Sequence, residues 1–145
     1  MVITEYVDSQ HREAVITLWK TTFGYPTAHN VPALAIDKKL VVADGLFFVA
    51  LKGEVVTGTV MAGYDGHRGW LYSVAVDPAC RRQGLGEALV RRAETALAAR
   101  GCMKINLQIV STNESVTAFY ESLGYSVEPH ISMGKRIAAN IPEQG

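Results

Sequence analysis

The chain carries only two cysteines, Cys80 and Cys102. Two thiols make no disulfide framework, so a reducing compartment, the cytoplasm, is the simpler expectation. No CxxC pair or Cys/His cluster with metal-ligand spacing occurs, and no metal is expected. Long apolar runs are missing as well. The strongest, around LFFVAL (46–51), is far shorter than the ~20 residues a membrane helix needs. The opening MVITEYVDSQ has no basic flank followed by an apolar core, which argues against a secretion signal. Excess charge is also lacking: Lys plus Arg and Asp plus Glu number 14 each. Without clustered positive charge, general affinity for nucleic acid is not expected. No repeat or linker interrupts the 145 residues. One domain over 1–140 with a short tail, 141–145, follows, as a monomer or homodimer.

What is present is a regular succession of apolar periods. VITEYV (2–7) reads as a strand, and Asp8 or Ser9 suits the cap of a helix. That helix carries Val15, Leu18, Trp19 and Phe23 on one face and stops at Gly24. Asn30 suits the cap of a second helix, with Pro32 in its first turn and Leu34, Ile36 and Leu40 inward or flanking. LFFVAL (46–51), VVTGTVMAGY (55–64) and WLYSVAV (70–76) form a three-strand meander, the first two joined by a glycine hairpin. From Leu85 to Arg100 the period becomes helical, and Gly101 closes it. MKINLQIV (103–110) alternates as a strand. Asn113 caps a short helix bearing Val116, Phe119, Tyr120 and Leu123. YSVE (125–128) and ISMGKRI (131–137) read as two last strands. The order β α α β β β α β α β β is an α+β arrangement. About four helices flank a mixed, mostly antiparallel sheet, with one right-handed parallel crossover over 70–110.

Between the third meander strand and its helix stands RRQGLG (81–86). A helix N-terminus offers unpaired N–H groups and partial positive charge, which suits a phosphate. Gly84 and Gly86 remove side chains from that approach, and Arg81 and Arg82 add charge at its rim. The Rossmann fingerprint is excluded because Leu89 stands three residues beyond Gly86, and no P-loop pattern occurs.

The run LYSVAVDPACRRQGLGEALVRRAE (71–94) resembles the acetyl-CoA motif of the Gcn5-related N-acetyltransferase (GNAT) family. INLQIVSTNESVTAFYESLGY (105–125) resembles its second cofactor and catalytic segment. Within the family the chain is similar to the branch that includes ribosomal-protein N-terminal alanine acetyltransferases. The resemblance implies that an acceptor amine attacks the thioester of acetyl-CoA, a tetrahedral oxyanion forms, and CoA thiolate leaves. It implies that the main chain of Val74 and Val76 pairs with the pantetheine arm. A main-chain N–H of that strand would face the oxyanion. The amides of Gln83, Gly84, Leu85, Gly86 and Glu87, with Arg81 and Arg82, would hold the pyrophosphate. Asn113 would bond the cofactor arm as well as cap its helix. Tyr120 would be the general acid, or else a core residue beside Phe119 and Leu123.

The chain departs from the family at the general base. Where relatives place a glutamate, Gln108 stands in one position and Trp70 in the other. Neither takes up a proton. Tyr72, His67 and Asp65 are nearby substitutes, and an α-amine, with its low pKa, needs less help than a lysine. Tyr25, His29 and His130 fall where the resemblance puts the acceptor. Three functions follow as expectations: an N-acetyltransferase acting on a protein N-terminus, a CoA-binding regulatory module without turnover, and an N-acetyltransferase of small molecules such as an antibiotic, polyamine or amino acid.

Overall fold

The computed structural model describes residues 1–24 and 31–137. It forms two compact units, Met1–Leu107 and Gln108–Gly145. In the first, β1 (Val2–Glu5), β2 (Phe47–Lys52), β3 (Val55–Tyr64), β4 (Gly69–Val76) and β5 (Ile105–Leu107) lie side by side in chain order. The first three pairings are antiparallel and the last is parallel. The expected parallel pairing across a helix is therefore present, with α3 (Leu85–Ala99) between the two strands. α1 (Asp8–Phe23) and α2 (Val31–Val42) complete the unit, and α4 (Glu114–Ser122) belongs to the second.

Alternation along β2 sends side chains to both faces of the sheet. Phe47 and Val49 join Val15, Leu18 and Trp19 of α1 and Ile36 of α2 in one buried cluster. Phe48 points the other way, beneath the Arg92 guanidinium of α3 at 4.3 Å. Leu85, Leu89, Val90, Ala93, Ala96 and Leu97 form the buried stripe of α3. Gly58 lets that helix settle on β3, since a Cβ there would come within 2.8 Å of Leu89 Cδ1.

Two helix details differ from expectation. Val7, not Asp8 or Ser9, is the N-cap of α1 and has no side-chain cap bond. Instead Val7 N–H donates to Nδ1 of His11 at 2.9 Å, and Asp8 accepts from Tyr6 Oη and Arg12 Nε. On α2 the buried polar residue is Lys39, while Leu40 is exposed. The Lys39 ammonium donates to Asp44 and to the Ala62 carbonyl, which is why it tolerates burial.

His11 is buried, and burial holds its pKa below the ordinary value. A lowered folded-state value means that its stabilising contribution is present above the ordinary ~6.5 and lost as pH falls through the folded pKa. Protonation also removes the acceptor for Val7 N–H. Melting temperature should therefore drop on acidification from about pH 7 to about pH 5, and a folded His11→Gln variant should show a flatter profile. Equal slopes in the two proteins would remove His11 as the source.

The strand expected over 103–110 is short, because its ladder with β4 covers only Gly69–Leu71 against Ile105–Leu107. The last two expected strands, 125–128 and 131–137, are not formed. Alternation there is genuine, but a strand exists only with a hydrogen-bonded partner. Ile131, Met133 and Ile137 are each more than nine-tenths exposed. The cap of α2 expected at Asn30 lies outside the described residues.

Candidate active site

The outer edge of β4 is the first element of the site. Beyond Leu71↔Leu107 the ladder with β5 ends, so Tyr72–Val76 has no strand along that edge among the described residues. The inner edge stays attached to β3: Ala75 pairs with Thr59, Val76 with Gly58, and Asp77 N–H donates to Thr57 O. Val74 and Val76 are half-buried and Ala75 is buried in the core. An open strand edge is the receptor that an extended arm requires.

β4 is also kinked here. Met61 pairs with Tyr72 and Thr59 with Ala75, so Ser73 and Val74 together oppose Val60. Ser73 takes φ +51°, a left-handed conformation that a residue with a Cβ rarely adopts, at about 1 kcal/mol or more. Two buried side chains hold the bulge. Trp19 Nε1–H donates to Thr59 Oγ1 at 2.9 Å, and the Thr59 hydroxyl donates to the Ser73 carbonyl at 2.9 Å.

The second element is the turn from β4 into α3. Asp77 accepts from Ala79 N–H and starts a single 3-10 turn, Pro78–Cys80. Arg82 and Gly84 are both left-handed, with φ +64° and +77°, and curl the backbone just ahead of the helix. Arg81, Arg82, Gln83 and Gly84 are exposed, and a Cβ on Gly84 would meet nothing within 4 Å. Gly84 caps α3 without a side chain, and its carbonyl accepts from Ala88 N–H. The amides of the first helical turn are thus left to an external acceptor. Leu85 is buried in the core, so it has only its main chain to offer a ligand. This open, positively charged helix entrance fits a pyrophosphate by its donor set.

In the second unit, Asn113 caps α4: its Oδ1 accepts from Val116 N–H and from the Ser115 hydroxyl. The carboxamide NH2 remains as a donor. Tyr120 is buried, and burial pushes its pKa up to about 12. The rings of Phe119 and Tyr125 meet it edge-on at 5.0 and 5.7 Å. Gln108 is exposed and its amide donates to the Ser132 hydroxyl.

Among the substitutes for the missing glutamates, Asp65 and Tyr72 are constrained, and so is the Trp70 position. Trp70 turns its indole N–H toward Asp65 Oδ2 at 3.4 Å. Asp65 is held below the usual carboxylate range by the backbone N–H groups of Arg68 and His67, which makes it a poorer base. Tyr72 lies under the Lys39 ammonium, 5.3 Å from its ring centroid. Tyr25 and His29 lie outside the described residues, and His130 is exposed. Among the described residues no group of three or more His, Cys, Asp or Glu side chains gathers as a metal site, and no helix is long and apolar enough to cross a membrane. Nothing in the sequence marks the polar roles of Trp19, Thr59 and Lys39. Their buried polar contacts reach 40, 14 and 23 residues along the chain, and no local pattern marks them.

The five-strand sheet, parallel only between β4 and β5, with its flanking helices matches the fold of solved acetyltransferases. Residues 12–125 match the model of the Acetyltransferase (GNAT) family, and the chain belongs to that family as an acetyl-CoA-dependent N-acetyltransferase. An acetyltransferase of Pectobacterium atrosepticum is 44% identical over 126 residues, covering 86% of this chain and 88% of its own length. An aminoglycoside N-acetyltransferase in complex with CoA has a TM-score of 0.77 at 18% identity, over 94% of this chain and 95% of its own. A ribosomal-protein alanine N-acetyltransferase of Escherichia coli has a TM-score of 0.68 at 24% identity, over 85% of this chain and 76% of its own. At these identities the two structural likenesses are likenesses of fold.

Proposed function

We propose that the protein transfers the acetyl group of acetyl-CoA to a primary amine of low pKa, an α-amino group of a protein N-terminus or a small molecule, by direct attack on the thioester. The observation that carries the choice of acceptor is the absence of a base at both customary positions. Trp70 is engaged with Asp65, and Gln108 is a neutral amide bonded to Ser132. An α-amine has a pKa of about 7.7–8.0 and a lysine about 10.4, so near pH 7 about a tenth of the former is neutral unaided, against less than about a thousandth of the latter.

In this reading the Arg81–Glu87 turn receives the pyrophosphate, and the β4 edge at Val74 and Val76 pairs with the pantetheine arm. Asn113 donates its NH2 to that arm. A β4 amide stabilises the oxyanion as the carbonyl is attacked. Tyr120, protonated at every working pH, hands its proton to the departing thiolate.

The assay is thiol release from acetyl-CoA with α-amine peptides set against a panel of aminoglycosides, polyamines and amino acids. Tight CoA binding without thiol release from any of them would leave a regulatory module in place of an enzyme. The proton argument has its own test. With an α-amine acceptor, kcat/KM should rise with pH to a plateau near the acceptor's pKa, about 7.7–8.0. With a lysine acceptor it should keep rising. Gln108→Glu should add an ionisation to the profile. An acidic limb near about pH 6 in the native enzyme, indifferent to the acceptor and lost on His67→Ala, would make His67 the base instead.

A further inference from the structure

We infer that Trp19 and Thr59 are positioning residues for acetyl transfer, fixing the Val74 N–H as the donor that meets the thioester carbonyl. The inference rests on the acetyl-CoA reading above. It starts from the bulge, where Ser73 and Val74 share one place opposite Val60. The indole N–H of Trp19 is a donor only. By donating to Thr59 Oγ1 it occupies an acceptor side of that hydroxyl and leaves the hydroxyl proton for the Ser73 carbonyl. Trp19 and Thr59 are both fully buried, so no water competes for these bonds. The direction of the Ser73 carbonyl is therefore set by the interior of the protein.

A peptide unit is planar, and none among the described residues is cis. In a trans peptide the C=O and the following N–H point in opposite directions. With the Ser73 carbonyl drawn inward to Thr59, the Val74 N–H is directed away from Thr59, toward the β4 edge that β5 leaves open. The left-handed Ser73 is the strained joint that makes this possible, and such strain persists only where surrounding contacts hold it. The relay thus links a tryptophan in the C-terminal half of α1 to the orientation of one amide on β4. A displacement of a donor by about 1 Å can lower a rate by about 10²-fold.

The experiment titrates 15N-labelled native, Thr59→Val, Thr59→Ser and Trp19→Phe proteins with CoA and with acetyl-CoA, and measures thiol release in parallel. In the native protein acetyl-CoA should move the Val74 amide resonance more than CoA does, and both should move Gly84–Glu87. Thr59→Val keeps the shape and removes the hydroxyl. It should abolish the acetyl-dependent shift at Val74, lower turnover by up to about 10²-fold, and leave the Gly84–Glu87 shifts intact. Trp19→Phe, which frees the Thr59 hydroxyl to rotate, should fall between, and Thr59→Ser should restore native behaviour. Thr59→Val orphans the Trp19 N–H, so the Trp19→Phe/Thr59→Val double variant separates folding from positioning. Recovery of turnover in that double variant would overturn the inference, as would a Val74 shift that survives in Thr59→Val or a Thr59→Ser protein as impaired as Thr59→Val. No shift at Gly84–Glu87 in the native protein would remove the acetyl-CoA reading and this inference with it. A normal Gly84–Glu87 response with an indifferent Val74 removes this inference alone.

Discussion

Replacing Tyr120 with phenylalanine is expected to lower turnover by about 10²–10⁴-fold, the range for a single acid–base group. The ring is only 7% exposed and keeps its edge contacts with Phe119 and Tyr125 in the variant, so the fold should be retained. CoA affinity should stay within about fivefold, since one neutral hydrogen bond is worth about 1 kcal/mol. A phenol whose pKa is raised to about 12 is a weaker acid than an ordinary thiol at about 8.5. In the proposed mechanism a thiolate leaving into a dry pocket would be made more basic by the same desolvation, and the proton would move as the carbon–sulfur bond breaks. For the same reason Tyr120 should produce no alkaline limb below about pH 11. The measurements are kcat, the calorimetric Kd for CoA and the melting temperature of both proteins. Matching losses of stability and turnover would assign Tyr120 to the core alone.

The second large effect is expected from Gly86→Val, which should weaken CoA binding by about 10²-fold. Gly86 is the second residue of α3, whose first-turn amides face the pyrophosphate in the proposed reading. A valine side chain there would stand between the amides and the anion. Losing one or two hydrogen bonds to a charged group, at about 1.5–3 kcal/mol each, corresponds to that factor. The helix itself should not suffer, because valine has a better helix propensity than glycine. Its buried stripe, from Leu85 to Leu97, is untouched. Calorimetry of folded Gly86→Val with an unchanged Kd would move the pyrophosphate elsewhere.

Much of the fold could be read from local pattern. The strands from 46 to 76, the helix from Leu85 and the glycine turn before it are each set by neighbours within a few residues. Apolar period, a turn-forming glycine and helix-entrance chemistry all act over that range. The same holds for Asn113, whose cap of α4 is a bond to residues two and three positions on. The missing carboxylates at Trp70 and Gln108 were visible for the same reason: an absent residue type needs no structure to be noticed.

Other features were decided only by packing. Alternation over 125–137 suggested two strands, yet a strand needs a partner for its backbone groups, and no sequence period supplies one. The burial of Lys39 depended on Asp44 and the Ala62 carbonyl being there to receive its ammonium. Above all, Trp19 read as one more apolar position on α1 and Thr59 as one more β-branched residue on β3. Their joint hold on the left-handed Ser73 arises because α1 packs on the sheet just where β3 and β4 fall out of register. Local chemistry determined most of the elements and the bare helix entrance ahead of α3. Only the tertiary structure decided which amide of β4 is turned outward, because that direction is held by bonds spanning 40 and 14 residues of chain.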